Sequence, residues 1–214
     1  MARSRILITA GPTRELIDPV RFLSNRSSGK MGYALAEAAI QAGHHVTLIS
    51  GPVSLKPPRK VLFHGVETTA QMYQQVIREA QKANIIIMAA AVSDYQPVRT
   101  ANQKIKKRKA SFVLTLKKTP DILQKLGQCK KPTQLLVGFA AETHHLLSYA
   151  KTKLKLKNLD FIVANKVGID GQGFESNNNQ AALLGRGGYT HRFQKMTKYQ
   201  LAKKLIHFFC AQKG

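Results

Sequence analysis

Ser27-Ser28-Gly29-Lys30 sets two hydroxyls, a permissive backbone and a cation where a long polar loop meets an Ala-rich apolar pattern. If that pattern is a helix, its first turn adds unpaired N–H groups and the positive end of the helix dipole, a combination that attracts anions. The stretch PTRELIDPVRFLSNRSSGKMG from Pro12 therefore reads as a binding loop for an acidic ligand. Two familiar phosphate loops do not fit it. A Walker loop needs Gly five residues before its Gly-Lys pair and Ser or Thr after it, where this chain has Ser24 and Met31. A dinucleotide turn needs closely spaced glycines, and no glycine follows Gly11 until Gly29.

The elements that must hold this loop follow from periodicity. Arg5 to Thr9 and His45 to Ser50 read as buried strands, with a helix over Gly29 to Gly43 between them. A strand, helix, strand order implies a parallel crossover and a sheet covered on both faces. Val61 to His64 reads as a further strand, Thr69 to Lys82 as a helix, and the apolar run Asn84 to Val92 as a strand. Phe112 to Lys117 alternates as a strand. Thr119-Pro120-Asp121 opens a helix, with Thr119 as cap and Pro120 in its first position. Gln134 to Phe139 and Asp160 to Asn165 are strands around a helix over Thr143 to Lys157. A loop over Gly171 to Gln180, an antiparallel hairpin over Ala181 to Phe193 and a helix over Lys198 to Ala211 complete the chain. The fold class is α/β: a Rossmann-like, three-layer, mostly parallel sheet with helices on both faces and a C-terminal antiparallel hairpin. With 43% hydrophobic residues, the 214 residues are expected to form one domain over 1–214.

Ligands of such sheets bind beyond the C-terminal strand edge, which directs attention to Ala89-Ala90-Ala91 with Asp94, and to Gly138 to Thr143 with Phe139. The small alanines either admit a flat group or form a small-residue core strand with Asp94 as a turn or cap residue, and Phe139 is placed either to stack on such a group or to fill the core. Lys153 and Lys157, four apart, share one helix face, either around a polyphosphate or facing solvent. The basic run at Lys104 to Lys107 reads as a solvated face or flap.

Other chemistry is excluded. Tyr149 and Lys153 form the Y-x-x-x-K spacing of short-chain dehydrogenases, but the glycine-rich turn such enzymes need is missing. There is no nucleophile elbow and no zinc-protease motif. His44-His45 and His144-His145 are adjacent pairs, poorly spaced for a metal on a helix. Cys129 and Cys210 are isolated, and a reducing cytoplasm without a disulfide suits them. No stretch reads as a membrane span or an export signal. The 34 Lys and Arg against 11 Asp and Glu, a net charge of +23, invite nucleic acid. Yet the basic 99–118 stretch carries Phe112 as its single aromatic, too little for a stacking platform.

Six stretches carry a resemblance: GPTRELIDPVRFLSNRSSGKMG from Gly11, AAAVSDY from Ala89, KIKK from Lys104, KTPDIL from Lys118, GFAAET from Gly138 and GFESNNN from Gly173. In this order the chain resembles the phosphopantothenate-cysteine ligases of coenzyme A biosynthesis, in their bacterial CTP-using form. The resemblance implies a homodimer that binds CTP and Mg²⁺ and joins phosphopantothenate to cysteine through an acyl-CMP intermediate. It implies nucleotide contacts at Met88, Ala89, Ala90 and Asp94, at Lys104 of the K-x-K-K flap, at Pro120, Asp121, Ile122 and Leu123, at Phe139, and at Lys153 and Lys157. Asn25 would hold the pantothenate part, making Asn25 and Lys104 the expected catalytic pair, in a cytoplasmic enzyme. Many relatives carry a fused flavin-dependent decarboxylase, so a separate decarboxylase is an expected partner. Where many read Ala-Asn-Asp, this chain has Ala164-Asn165-Lys166, and Lys166 is given no role.

Overall fold

In a computed structural model of the protein, residues 3–107, 110–142, 144–166 and 177–213 are described. The elements in chain order are β1 (Arg5–Ala10), β2 (Arg14–Leu16), β3 (Phe22–Ser24), α1 (Lys30–Gln41), β4 (His45–Ser50), β5 (Leu62–Gly65), α2 (Thr69–Ala80), β6 (Ile85–Met88) and β7 (Tyr95–Pro97). They continue with β8 (Leu116–Lys118), α3 (Ile122–Cys129), β9 (Leu135–Glu142), α4 (Leu146–Leu156), β10 (Phe161–Lys166), β11 (Asn178–Gly185), β12 (Thr190–Thr197) and α5 (Lys198–Ala211).

Eight strands form the central sheet in the order β12-β11-β10-β9-β6-β1-β4-β5. The six from β10 to β5 run parallel, and β11 and β12 add the antiparallel hairpin. Alternation along each strand divides the core into two layers, as the two-residue period of a pleated strand requires. Ile6, Ile8, Ile85, Ile87 and Val137 pack with Leu35 of α1 and Leu205 and Phe209 of α5. Leu7, Ile86, Leu136 and Ile162 pack on the other side with Met72 and Val76 of α2, Leu126 of α3 and Ala150 of α4. The expected three-layer α/β fold is therefore the observed one. Among the described residues, no helix is long and apolar enough to cross a membrane.

Several boundaries differ from the sequence expectation for identifiable reasons. The run 84–92 is a strand only over Ile85–Met88, because Ala91 leaves the ladder to bridge Pro12 instead. Of the expected strand Phe112 to Lys117, only Leu116–Lys118 pairs, with β7; Phe112 and Val113 face no core and stand 58% and 85% exposed. The cap of α3 is Asp121, whose carboxylate accepts the Gln124 N–H at 2.8 Å, so Pro120 precedes the cap rather than following it. β9 runs on through Glu142 because Ala140, Ala141 and Glu142 pair with Ala164, Asn165 and Lys166; α4 accordingly begins at Leu146 rather than at 143. β11 starts at Asn178, inside the expected loop. The first part of that loop, the Gly173 end of GFESNNN, Thr143 and the Lys166 side chain lie outside the described residues.

One close approach fixes α3 against the end of α4. A Cβ on Gly127 would stand 2.0 Å from the carbonyl oxygen of Lys157. Gly127→Ala must push the helices apart, and a loss of about 1–3 kcal/mol is expected, as in overpacked cores. A lower urea midpoint with an unchanged slope checks this, and an unchanged midpoint refutes it.

Candidate functional site

Strand order reverses between β1 and β6, and the chains leaving those two strands diverge there, which is where open α/β sheets bind ligands. The two departing chains are fastened together. Ala91 N–H donates to Gly11 O at 2.9 Å and Thr13 N–H to Ala91 O at 3.3 Å. Beneath them lies a buried polar network. Ser93 N–H donates to Thr13 Oγ1 at 3.0 Å, which is 3.0 Å from Thr69 Oγ1. The Thr69 hydroxyl and backbone N–H both donate to Glu15 Oε1, at 2.7 and 2.8 Å. Glu15 thus sets a carboxylate at the N-terminus of α2, where the helix dipole favours negative charge. Thr119 Oγ1 ties the approach to α3 into the same network, donating to Ser93 O at 2.6 Å.

Above this network opens a cavity of about 940 Å³. Asn25 lines it, its amide Nδ2 donating to Val92 O at 2.9 Å. Gly29, at φ +74°, turns the chain into α1 and provides no side-chain cap for the first turn, which also lines the cavity. The floor is Met88, Ala89 and Ala90, with Asp94 at the rim. Pro120, Asp121, Ile122, Leu123 and Phe139 form a further wall with Lys153 and Lys157. Lys153 Nζ donates to Phe139 O at 3.2 Å. Burial lowers the Lys153 pKa below the usual lysine value, partly offset by Glu142, Asp94 and Asp121. Lys157 donates to Asp121 Oδ2 and, at 3.3 Å, to Gln124 Oε1. Burial works to raise the Asp121 carboxyl, but the bonds from Lys157 and Gln124 outweigh it and hold it below its ordinary value.

Lys104 is not among the cavity-lining residues. Its segment runs beside the β2–β3 hairpin, held through Asp18, whose side chain is fully buried. Asp18 accepts the N–H groups of Val20 and Arg21 at 2.9 Å and of Ile105 at 3.1 Å, and the Arg21 guanidinium at 2.6 Å. Arg21 Nη2 also donates to Ile105 O at 2.6 Å. Sequence reasoning missed three groups. Glu15 had no local signal, since its partner Thr69 lies in another element. Asn179 and Lys198 also line the cavity; a lysine opening an otherwise amphipathic helix after Thr197 was the available clue. A second cavity of about 680 Å³, between residues 51–57 and α2, contains none of the expected site residues. Among the described residues, no group of three or more His, Cys, Asp or Glu side chains could hold a metal alone.

The family described as the DNA/pantothenate metabolism flavoprotein C-terminal domain matches residues 1–211. The chain belongs to this family. It is 46% identical over 207 residues to the coenzyme A biosynthesis bifunctional protein CoaBC of Bacillus subtilis (strain 168), a match covering 96% of this chain and 51% of that protein. The chain thus spans about half the length of the curated relatives it matches. Among solved structures, the C-terminal domain of a coenzyme A biosynthesis bifunctional protein CoaBC superposes with a TM-score of 0.82 at 42% identity, covering 96% of this chain and 93% of that one. The DNA/pantothenate metabolism flavoprotein from Streptococcus pneumoniae gives a TM-score of 0.83 at 27% identity, with 98% and 99% covered. In this member of the flavoprotein C-terminal domain family, the cavity lies at the switch point of the shared fold.

Asp18 gives the pH test of the hairpin. Burial acts to raise its carboxyl, but the Ile105, Val20 and Arg21 bonds prevail and hold it well below the carboxylate range. A carboxyl depressed on folding contributes stability above its unfolded pKa, near 3.8, and loses it as pH falls toward the folded value. Asp18→Asn should therefore lower the melting temperature at pH 7, with the gap to wild type narrowing below about pH 4. A gap independent of pH would refute the charge argument.

Proposed function

We propose that this chain is the ligase that condenses 4′-phosphopantothenate with cysteine, using CTP and passing through a phosphopantothenoyl-CMP intermediate. The observation that carries the reading is one cavity, at the switch point of a coenzyme A biosynthesis family member, combining the Asn25 amide, the uncapped start of α1 and the Lys153 and Lys157 wall. No side chain has to act as a nucleophile in this chemistry. A carboxylate is a poor acyl electrophile, so its oxygen first attacks the α-phosphorus of CTP and pyrophosphate leaves. The cysteine amine then adds to the activated carbonyl, CMP departs with the electron pair of the broken C–O bond, and the amine gives up its proton. The protein's task is positioning and charge stabilisation.

In this reading Asn25, anchored on Val92 O, orients the acyl group, an amide being able to donate and accept. The alanines after β6 admit the nucleotide against the backbone, and Lys153, Lys157 and Phe139 hold it. Lys104 approaches the phosphates when its segment, rooted at Asp18 and Arg21, moves over the cavity. Mg²⁺ suits the donor set: it is commonly bound by one or two carboxylates plus substrate phosphates, and Asp94 and Glu142 both line the cavity. There it would neutralise phosphate charge.

The exposed apolar side chains of Phe22, Tyr95 and Leu116 on the two small sheets, with Val20 in the β2–β3 turn and Val98 just after β7, suit a homodimer contact. The free thiols of Cys129 and Cys210 suit a reducing cytoplasm. A companion decarboxylase would consume the acyl-cysteine product.

Pyrophosphate release is expected with phosphopantothenate, Mg²⁺ and CTP, and phosphopantothenoylcysteine once cysteine is added. A parallel ATP arm measures the nucleotide preference. No pyrophosphate with either nucleotide refutes the function, and ATP-driven turnover exceeding that with CTP refutes the CTP assignment. Lys104→Ala should slow acyl-CMP formation by about 10²–10³-fold, the loss typical of one transition-state donor. A single-turnover rate close to wild type would remove Lys104 from the mechanism. Asn25→Ala should leave CTP affinity within about twofold while turnover falls by a similar 10²–10³-fold; equal loss of both would point to a structural role.

A further inference from the structure

Two walls of the cavity start from one fork in the chain. β7 and β8 pair antiparallel, Pro97 with Leu116, Gln96 with Lys117 and Tyr95 with Lys118, and the pairing is extended by a bond from Thr119 N–H to Asp94 O at 3.0 Å. Pro120 follows and has no N–H to carry it further. Beyond that point the segments separate, one leading back through Ser93 to the alanine floor and the other forward through Pro120 to the start of α3. Ser93, Asp94, Thr119 and Pro120 all line the cavity.

A side-chain bond crosses the fork, from Thr119 Oγ1 to Ser93 O at 2.6 Å. What anchors it follows from counting protons. The Thr69 hydroxyl has a single proton, committed to Glu15 Oε1 at 2.7 Å, so in the 3.0 Å pair with Thr13 the Thr13 hydroxyl is the donor. Thr13 Oγ1 then accepts the Ser93 N–H at 3.0 Å. The Thr69 hydroxyl also lies 3.4 Å from Ser93 O, but it has no second proton to give, which leaves that carbonyl to Thr119. Ser93 is thus held at both backbone groups: its N–H by a chain that ends on a buried carboxylate, and its C=O by Thr119. Thr13, Glu15, Thr69 and Ser93 are buried, and Thr119 is the half-buried outermost member.

We propose that Thr119 is a positioning residue: its hydroxyl, anchored on Ser93 and through it on Glu15, sets the gap between the alanine floor and the Pro120–Leu123 wall, and so the fit of the nucleotide between them. The inference rests on the nucleotide-using function proposed above and deepens it. The β7–β8 pairing fastens the two segments without the hydroxyl, so its loss leaves the pairing in place and loosens the fork. Contacts across a gap widened by about 0.5–1 Å forfeit roughly a quarter to a half of their attraction. Asn25, on the phosphopantothenate side, is bound to Val92 O of the floor segment, which the Thr13 network and the Ala91 bonds hold independently of Thr119.

The test is calorimetric titration of CTP with Mg²⁺, and separately of 4′-phosphopantothenate, into the full chain as wild type, Thr119→Val, Thr119→Ser and Glu15→Gln, with melting curves to verify folding and steady-state turnover alongside. Thr119→Val keeps the shape and the N–H but not the hydroxyl; it is expected to weaken CTP binding about tenfold, on the scale of one hydrogen bond, and to leave phosphopantothenate within about twofold. KM for CTP should rise by a similar factor while kcat at saturating CTP stays within about threefold, the pattern of a lost uniform binding contribution. Thr119→Ser should restore CTP affinity to within about threefold of wild type. Glu15→Gln exchanges a charged acceptor for a neutral one and should give the same pattern at about threefold. Unchanged CTP affinity in folded Thr119→Val, an equal loss for phosphopantothenate, or a fall in kcat with KM unchanged overturns the role. A Thr119→Val protein that does not fold overturns it too, because the hydroxyl would then serve the fold, and a folded Glu15→Gln with wild-type affinity overturns the anchoring through Glu15. Wild type that binds no CTP refutes the nucleotide reading and this role together, whereas CTP binding that Thr119→Val leaves intact refutes this role alone.

Discussion

The bridge between Ala91 and the chain leaving β1 is the constraint on which the site depends. Parallel strands diverge at a switch point, and diverging loops have no neighbour to supply backbone partners. Here each loop supplies the other: Gly11 O and Thr13 N–H are satisfied by Ala91, and the hydroxyls of Thr13 and Thr69 continue the network down to Glu15. Buried polar networks rigidify a structure when every member is satisfied and are liabilities when one is not. The carboxylate of Glu15 is tolerable in that setting because the α2 N-terminus supplies both an N–H and a favourable dipole. Everything above this layer, from Asn25 to the alanine floor, inherits its position from it.

Much of this was legible in the sequence because it is periodic or local. The strands around Ile6 to Ile8, Ile85 to Ile87 and Leu135 to Val137 are apolar on both sides, as doubly covered parallel strands must be, and α5 begins and ends where its pattern does. The cavity wall of Phe139, Lys153 and Lys157 followed from position at a strand end and spacing on a helix, once a family resemblance gave those positions a meaning. What was not legible is long-range or conformational. The end of β6 is decided by a bridge to Pro12, far away in the chain. The α3 boundary turned on which of three adjacent residues captured an N–H. Glu15 and Asn179 lie inside two of the stretches that carry the resemblance, but nothing local marks either among its neighbours, and each acquires its surroundings only when distant elements meet.

The position of Lys104 shows how differently a basic chain can use its charges. Lys153 and Lys157 are held inside the lining by a carbonyl and a carboxylate. Lys104, by contrast, lies on a segment tied to the hairpin at its neighbour Ile105. Buried cations are screened little by salt and act at short range, whereas exposed ones act mainly through a field that salt weakens. Lys104, which is exposed, is of the second kind.

Asn177 connects α1 to α5, its side-chain oxygen accepting from Lys30 Nζ at 2.8 Å and its backbone oxygen from the Lys198 N–H at 2.9 Å, and the starts of both helices line the cavity. Local opening in a protein follows cooperative units rather than the boundaries of a site. Undocking of α5 would withdraw Lys198 and release the Lys30 contact in one event, without disturbing the Thr13 network beneath. A ligand held only in the docked state makes that opening less probable by mass action. Occupancy of the cavity and amide protection along α5 are then two readings of one equilibrium.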